Sequence, residues 1–473
     1  KGTDGEPYQD CGVTVRSGSF TMYGGNITGN RTYDWAYGCG VYVGHWNNSK
    51  PGSFTMYGGK ISGNAARSWG GGVYVGDQFT MYGGEISGNE AASGGGVYVN
   101  SGGTFTMKGG TISDNTGKAG QTDFSGGGVS VGYAGTFIME DGVISRNKVT
   151  GTQGSYLGGG GVYVGRNAKY DNKIYDAFTM KGGTISNNET YLGGGGVYMG
   201  EGTRFTMEGG TISGNKALAK GNLRGEGGGV FVYGHFTMSG GSIINNSCDG
   251  SDYIDMYNRN DDGCSGGGVH INGDNSVMTI SGDVKITGNT KTGKNGGTAK
   301  DNVYLRKKPI VIGGELTGGN ESIGVTTSSL PQVNWPVSIA KAGSNYAITG
   351  SDQSKFTSDK EGYEVKYDAV KQELTLATPP AGTTHTHYLC GGKTACTKVG
   401  GHSCESTTFE EIKNESDLKN AAQNGGNYYL SESITLNETL EIKTDMTLCL
   451  NGQTITGAVA NGNAIKVTDG TFT

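Results

Sequence analysis

Proline is scarce in this sequence, 7 residues in 473, and glycine, though abundant at 92, does not fall at every third position. Together these exclude a collagen triple helix. Charge of one sign never gathers into a run: 37 Lys and Arg stand against 43 Asp and Glu, a formal net charge of −6. A surface so mixed and only mildly acidic carries no electrostatic footprint for nucleic acid or an anionic membrane. No stretch approaches the roughly 18 apolar residues of a membrane-spanning helix. Hydrophobic residues make up only 33% of the chain, a share that ordinarily points to disorder. What is present argues otherwise. The chain has 26 Tyr and 13 Phe, and with many Val and Ile they recur at regular spacing. Low hydrophobicity with strict periodicity signals a repeat architecture.

Two blocks alternate. One reads Gly-Gly-Gly-Val-Tyr-Val, as at Gly70 to Val75, Gly94 to Val99 and Gly159 to Val164. The other reads Phe-Thr-Met-x-Gly-Gly-x-Ile-Ser-Gly-Asn, as at Phe79 to Asn89 and Phe205 to Asn215. The Phe positions, from Phe20 to Phe236 with Met278 in the ninth place, step by 25 to 42 residues. Intact blocks with variable connections are how a solenoid behaves when its loops accept insertions. Each block alternates with period two, so each contains strands. Val73 and Val75, Phe79 and Met81, and Ile86 point inward; Tyr74, Thr80 and Ser87 point outward. Gly costs about 1 kcal/mol per helical site, and no apolar 3.6 period survives it. The pattern predicts an all-β fold, a right-handed parallel β-helix of three short strands per coil and about ten coils, rising ~4.8 Å per coil.

Stacking turns each position into a column. The Asn column, from Asn30 through Asn89 and Asn147 to Asn289, is expected to hydrogen-bond to turn backbone and to the Asn above and below. The glycines before Val are expected to make the corner with positive φ. The motifs resemble the pectate-lyase-like parallel β-helix repeats of large secreted or wall-attached proteins of Gram-positive gut bacteria. That resemblance covers most of the chain. It is specific for fold and weak for function, because the fold carries lyases, glycosidases, adhesins and inert stalks.

The expected organisation is a β-helix over 1–320, a β cap over 321–378, a Cys/His-containing linker over 379–407, and the N-terminal cap and first coils of a second β-helix over 408–473. The cap should include a hairpin within Tyr363 to Ala377, and Asn414 should start a helix. This order suggests about one period of a longer tandem array. Eight Cys allow pairings of Cys11 with Cys39, Cys248 with Cys264, and Cys390 with Cys396 or Cys396 with Cys404, implying an oxidising, extracellular setting. Zn²⁺ on His387, Cys390, Cys396 and His402 or Cys404 is disfavoured, since the spacing fits no common zinc template.

Lyases and glycosidases of this fold place their sites on the outward column of the Val-x-Val strand. Here that column reads Thr14, Tyr42, Tyr74, Tyr98, Ser130, Tyr163, Tyr198, Phe231, His270 and Tyr304. It offers no carboxylate to bind Ca²⁺ or to act in pairs on a glycosidic bond. The column is therefore read either as a glycan-binding aromatic stripe or as packing between stacked rings. Trp35, Trp46 and Trp69 are a second carbohydrate-contact candidate. Asp252, Asp255, Asp261 and Asp262, in the long insertion between Cys248 and Cys264, are a candidate Ca²⁺ site against the plainer reading of a solvated acidic loop. The best reading is a non-catalytic, extracellular stalk or adhesin that contacts glycan or a host surface protein and needs no cofactor. The alternatives are a carbohydrate-active enzyme on the same fold and a filament subunit that associates end to end.

Overall fold

The alternation within each block dictates strand ladders, and the computed structural model contains them. It describes residues 11–32, 38–45, 50–118, 125–151, 158–165, 175–256, 262–332, 335–378, 385–390, 394–395, 405–450, 453–458, 463–469 and 471–472. The chain divides into two units, Lys1–Thr378 and Pro379–Thr473.

The first unit is a right-handed parallel β-helix. One ladder stacks the Val-x-Val strands in register from Val13–Val15 to Val303–Leu305. A second stacks the Phe-Thr-Met strands from Gly18–Met22 onward. A third stacks the Ile-Ser strands from Asn26–Thr28 onward. Every pairing within these ladders is parallel. A fourth, shorter ladder follows the Asn corner, with members such as Glu90–Ala91, Lys148–Val149 and Ser247–Asp249. Most of these strands span only two or three residues, too few to carry an alternation that the sequence could reveal.

The rod also runs further than residue 320. Ile323–Thr327 pairs in parallel with Val303–Leu305, and Phe356–Ser358 pairs in parallel with Ile323–Thr327. The closing hairpin is Glu364–Asp368 with Glu373–Ala377, and the latter strand also takes Val337–Ala342 antiparallel.

The core is built from columns. Phe54, Phe79, Phe105, Phe137, Phe178, Phe205 and Phe236 are fully buried, with neighbouring ring centroids 4.5 to 4.9 Å apart. Met and Val columns line the same interior. Aromatic pairs add about 0.5–1.5 kcal/mol each beyond the area they bury.

The Asn column closes one corner. Each Asn Oδ1 accepts from both the backbone N–H and the side-chain amide of the Asn one coil earlier. Asn147 Oδ1 takes Asn115 N at 3.0 Å and Asn115 Nδ2 at 2.9 Å. Asn147 Nδ2 in turn donates forward to Asn188 Oδ1 and back to the carbonyl of Ile112. One side chain thus ties three coils. The ladder continues through Asn289 to Asn302 and ends on Asp359, which accepts from Asn302 N at 2.6 Å and from Asn302 Nδ2. A carboxylate suits that last place, because it accepts twice and has no donor left to satisfy.

The glycines before Val do two jobs rather than one. Positive φ falls only on the first glycine of a triplet, as at Gly70 (+67°) and Gly159 (+74°), and at Gly126 even the first lacks it. The second and third are required by close approach. A Cβ on Gly72 would sit 2.6 Å from the carbonyl oxygen of Gly96 in the next coil.

In the second unit, Asn414 caps the helix Glu415–Asn424 by accepting from Asp417 N at 3.0 Å. Leu418, Ala421 and Ala422 of that helix are buried. Gly426–Leu430, Ile434–Leu436 and Leu440–Ile442 then pair in parallel with Met446–Cys449, Ile455–Gly457 and Ile465–Val467. Within the segment expected as a linker, His385–Cys390 is a strand antiparallel to Glu405–Ile412. Among the described residues, no helix is long and apolar enough to cross a membrane.

Candidate functional site

The outward column of the Val-x-Val ladder is an aromatic stack, but it is not an open face. Tyr42, Tyr74 and Tyr98 stack at 5.1 and 5.7 Å, with Trp69 on Tyr98 at 5.5 Å. Ser130 interrupts the stack, and its hydroxyl meets that of Ser93 at 2.8 Å. Tyr163, Tyr198, Phe231, His270 and Tyr304 then stack at 5.0 to 5.3 Å. Tyr42, Tyr74, Tyr163, Tyr198 and His270 are buried, Tyr163 to 2% and His270 to 1% exposure. Tyr98 and Trp69 are half-buried.

Of the two readings of this column, the burial and stacking of its rings favour packing over a glycan-binding stripe. The backbone at the Gly triplet of the preceding coil lies against the outward side chains. A Cβ on Gly158 would be 2.4 Å from the Tyr198 ring, and one on Gly38 would be 3.0 Å from Tyr74 Cβ. Rings stacked on each other also use their own faces, which are what a sugar ring would need. Trp35 and Trp46 lie outside the described residues.

In the acidic loop Asp252, Asp255 and Asp262 are each paired with a lysine, which favours the plainer reading of a solvated acidic loop. Asp252 pairs with Lys220 at 3.1 Å, Asp255 with Lys294 at 3.6 Å and Asp262 with Lys291 at 2.8 Å. Asp249, at the stem of the loop, pairs with Lys216 at 3.0 Å. The lysines come from neighbouring coils, so these carboxylates face separate cations instead of converging on one. Asp261 lies outside the described residues. Among the described residues no three His, Cys, Asp or Glu side chains are grouped to hold a metal ion.

The expected disulfides are likewise absent from the described pairs. Cys11 Sγ donates to the carbonyl of Gly38 and Cys39 Sγ to that of Asn30, both at 2.8 Å. Cys39 is thus turned toward the Asn corner of its own coil. Cys248 and Cys264 do share one buried cluster with Ala217, but as thiols. Burial, and then the hydrogen bond between them, pushes the Cys248 thiol up. Cys264 Sγ also donates to the carbonyl of Thr292. Cys396, His402 and Cys404 are outside the described residues, as are the side chains of His387 and Cys390.

Where the acidic loop returns to the rod, polar groups are buried together. Ser265 Oγ lies 3.0 Å from His270 Nδ1, and His270 Nε2 lies 4.0 Å from Glu226, which also meets Arg224. Serine, imidazole and carboxylate are the residue types of nucleophilic catalysis. Here Ser265 and His270 are buried and the rings of Phe231 and Tyr304 cover both imidazole faces, so no acyl group can reach the hydroxyl. Burial holds the His270 imidazole below its ordinary value.

Asp301 is fully buried beside this group. One carboxylate oxygen accepts from Gly266 N at 2.7 Å, and the other is buried with no hydrogen-bond partner within bonding geometry among the described residues. Burial pushes its pKa from the ordinary 3.8 to about 6. A carboxyl with a raised folded-state pKa loses stability as pH rises through that value. The cost of ionising Asp301 at neutral pH is about 3 kcal/mol, at 1.36 kcal/mol per pKa unit. Asp301→Asn should therefore gain stability relative to the natural protein above about pH 6, with the difference shrinking toward about pH 4. Urea unfolding of both proteins across that range checks this, and a pH-independent difference would refute it.

Three exposed features escaped the sequence reading. Tyr23, Tyr57 and Tyr82, the variable residues after Phe-Thr-Met, form a stacked and exposed corner. Trp335 is 74% exposed and shares two backbone hydrogen bonds with Gln332. His45 Nδ1 meets Asp77, a buried carboxylate that also accepts from Gly52 N at 2.7 Å. The corner tyrosines were legible as a run of three Tyr at one repeat position; the other two depend on loop geometry.

No protein-family model, curated protein or solved structure matches the chain.

Proposed function

We propose that this chain is a non-catalytic extracellular surface protein, a stalk or adhesin of the pectate-lyase-like β-helix type. The observation that carries the proposal is the sealed strand face. The column on which a β-helical lyase or glycosidase would need an open groove is here a stack of Tyr, Phe and His rings, most of them buried. The other repeated columns are also spent on holding coil to coil. A rod built this way supplies stiffness and reach, which is what a stalk requires. Contact with glycan or a host surface protein falls to the irregular parts, chiefly the acidic loop with exposed Ile254 and Met256 and the exposed Trp335.

The resemblance of the repeats supports an extracellular compartment, while Cys39, Cys248 and Cys264 are thiols. A glycan array probed with the intact chain tests the adhesin half. Binding to a defined set of glycans, unchanged when Ca²⁺ is removed, is expected, because the loop carboxylates already face lysines. Cleavage of any arrayed polymer would overturn the proposal in favour of a carbohydrate-active enzyme.

A further inference from the structure

Tyr23, Tyr57 and Tyr82 stand at one corner of three successive coils. Their ring centroids are 5.1 and 4.8 Å apart, and the planes are within 7° and 12° of parallel. The backbone beneath them is fixed at one-coil spacing: a Cβ on Gly58 would meet the Tyr23 carbonyl oxygen at 2.6 Å, and one on Gly83 the Tyr57 carbonyl oxygen at 2.7 Å. Tyr42–Tyr74 and Tyr163–Tyr198 have the same ring spacing, 5.1 and 5.2 Å. What separates the two sets is access. The corner rings are 77%, 47% and 45% exposed, whereas the four others are buried. The corner stack ends at Lys108, whose ammonium sits 5.4 Å from the Tyr82 ring centre.

We propose that this corner is a site of oxidative phenol coupling, with Tyr57 joined to Tyr23 or Tyr82 as dityrosine across adjacent coils. Each phenol loses one electron and one proton to give a phenoxyl radical. The two rings join through a carbon–carbon bond between positions ortho to oxygen. Each of those carbons then releases its hydrogen as a proton to its own phenoxyl oxygen through solvent, restoring both phenols. The co-reactant is hydrogen peroxide acting through a peroxidase. It takes up the two electrons and two protons and leaves as two waters. Exposure lets the oxidant reach these rings and leaves them free to turn edge to edge, neither of which the buried pairs allow. The bond would hold neighbouring coils together covalently, as a disulfide would, by restricting the unfolded chain.

The test treats the intact chain, at low concentration, with hydrogen peroxide and a peroxidase. Dityrosine fluorescence and peptide mapping are then read on the natural protein, Tyr57→Phe and Tyr163→Phe. The expected product is a monomer lighter by two hydrogens, with the cross-link mapped to Tyr57. Tyr57→Phe should lose it, because Tyr23 and Tyr82 are two coils apart, and Tyr163→Phe should keep it. No cross-link, one that survives Tyr57→Phe, or one found mainly between chains would overturn the proposal.

Discussion

Asn147→Ala is expected to lower the unfolding free energy of the rod by about 3–5 kcal/mol, at roughly 1–3 kcal/mol for each buried group left unsatisfied. Without the Asn147 side chain, Asn115 N and one hydrogen of Asn115 Nδ2 lose their acceptor, and the Ile112 carbonyl loses its donor. All of these groups sit at the closed corner, where Asn115 and Asn147 are fully buried. Water cannot enter without opening the coil. Asn147→Asp tests the direction of the ladder: it retains the acceptor for Asn115 but turns an oxygen toward the Ile112 carbonyl. It should therefore also be strongly destabilising, despite its matching shape. Urea unfolding with amide hydrogen exchange around residues 112–115 and 188 checks both variants. A loss under about 1 kcal/mol would fit a solvent-exposed Asn instead.

Gly161→Ala should cost at least as much, for a different reason. The added Cβ would lie 2.7 Å from the Gly196 carbonyl oxygen, 2.9 Å from Ile185 Cγ2 and 3.0 Å from Asn188 Nδ2. The nearest neighbour is backbone of the next coil and cannot move without breaking the first ladder. The penalty is more than about 3 kcal/mol, in the range of core substitutions that force backbone shifts. Gly102→Ala is the control. Its φ is +77° but no atom lies within 4 Å of an added Cβ. It should lose only about 1 kcal/mol, the cost of a left-handed conformation for an L-residue. A loss for Gly161→Ala no larger than that for Gly102→Ala would contradict the close approach of coils as the reason for the third glycine.

These two residues also show what could be read before the structure. The period-two alternation of Val73-Tyr74-Val75 and Phe79-Thr80-Met81 announced parallel coils, and the Asn column announced its own ladder. Both follow from local rules repeated many times. The fate of Tyr74 could not be read this way, because alternation says only that a side chain leaves the core. Whether it then meets water depends on the chain covering it, and that chain is the variable connection between blocks. The same limit applies to the acidic loop. Its Asp residues are adjacent in sequence, but each partner lysine comes from elsewhere, as Lys220 for Asp252 and Lys291 for Asp262. The closing Asp359 was invisible for a related reason: it lies in no repeat, and only its position after Asn302 gives it meaning.

The strand-face tyrosines Tyr42, Tyr74, Tyr163 and Tyr198 belong to the packing of the rod, and an exposed aromatic surface lies at the Tyr23, Tyr57 and Tyr82 corner. Nitration of the folded chain with tetranitromethane, followed by peptide mapping, tests this directly. Reaction at Tyr23, Tyr57 and Tyr82, with Tyr42, Tyr74, Tyr163 and Tyr198 protected until the chain is unfolded, is the predicted result. Ready nitration of the strand-face tyrosines in the folded protein would contradict it and reopen that face as a binding or catalytic surface.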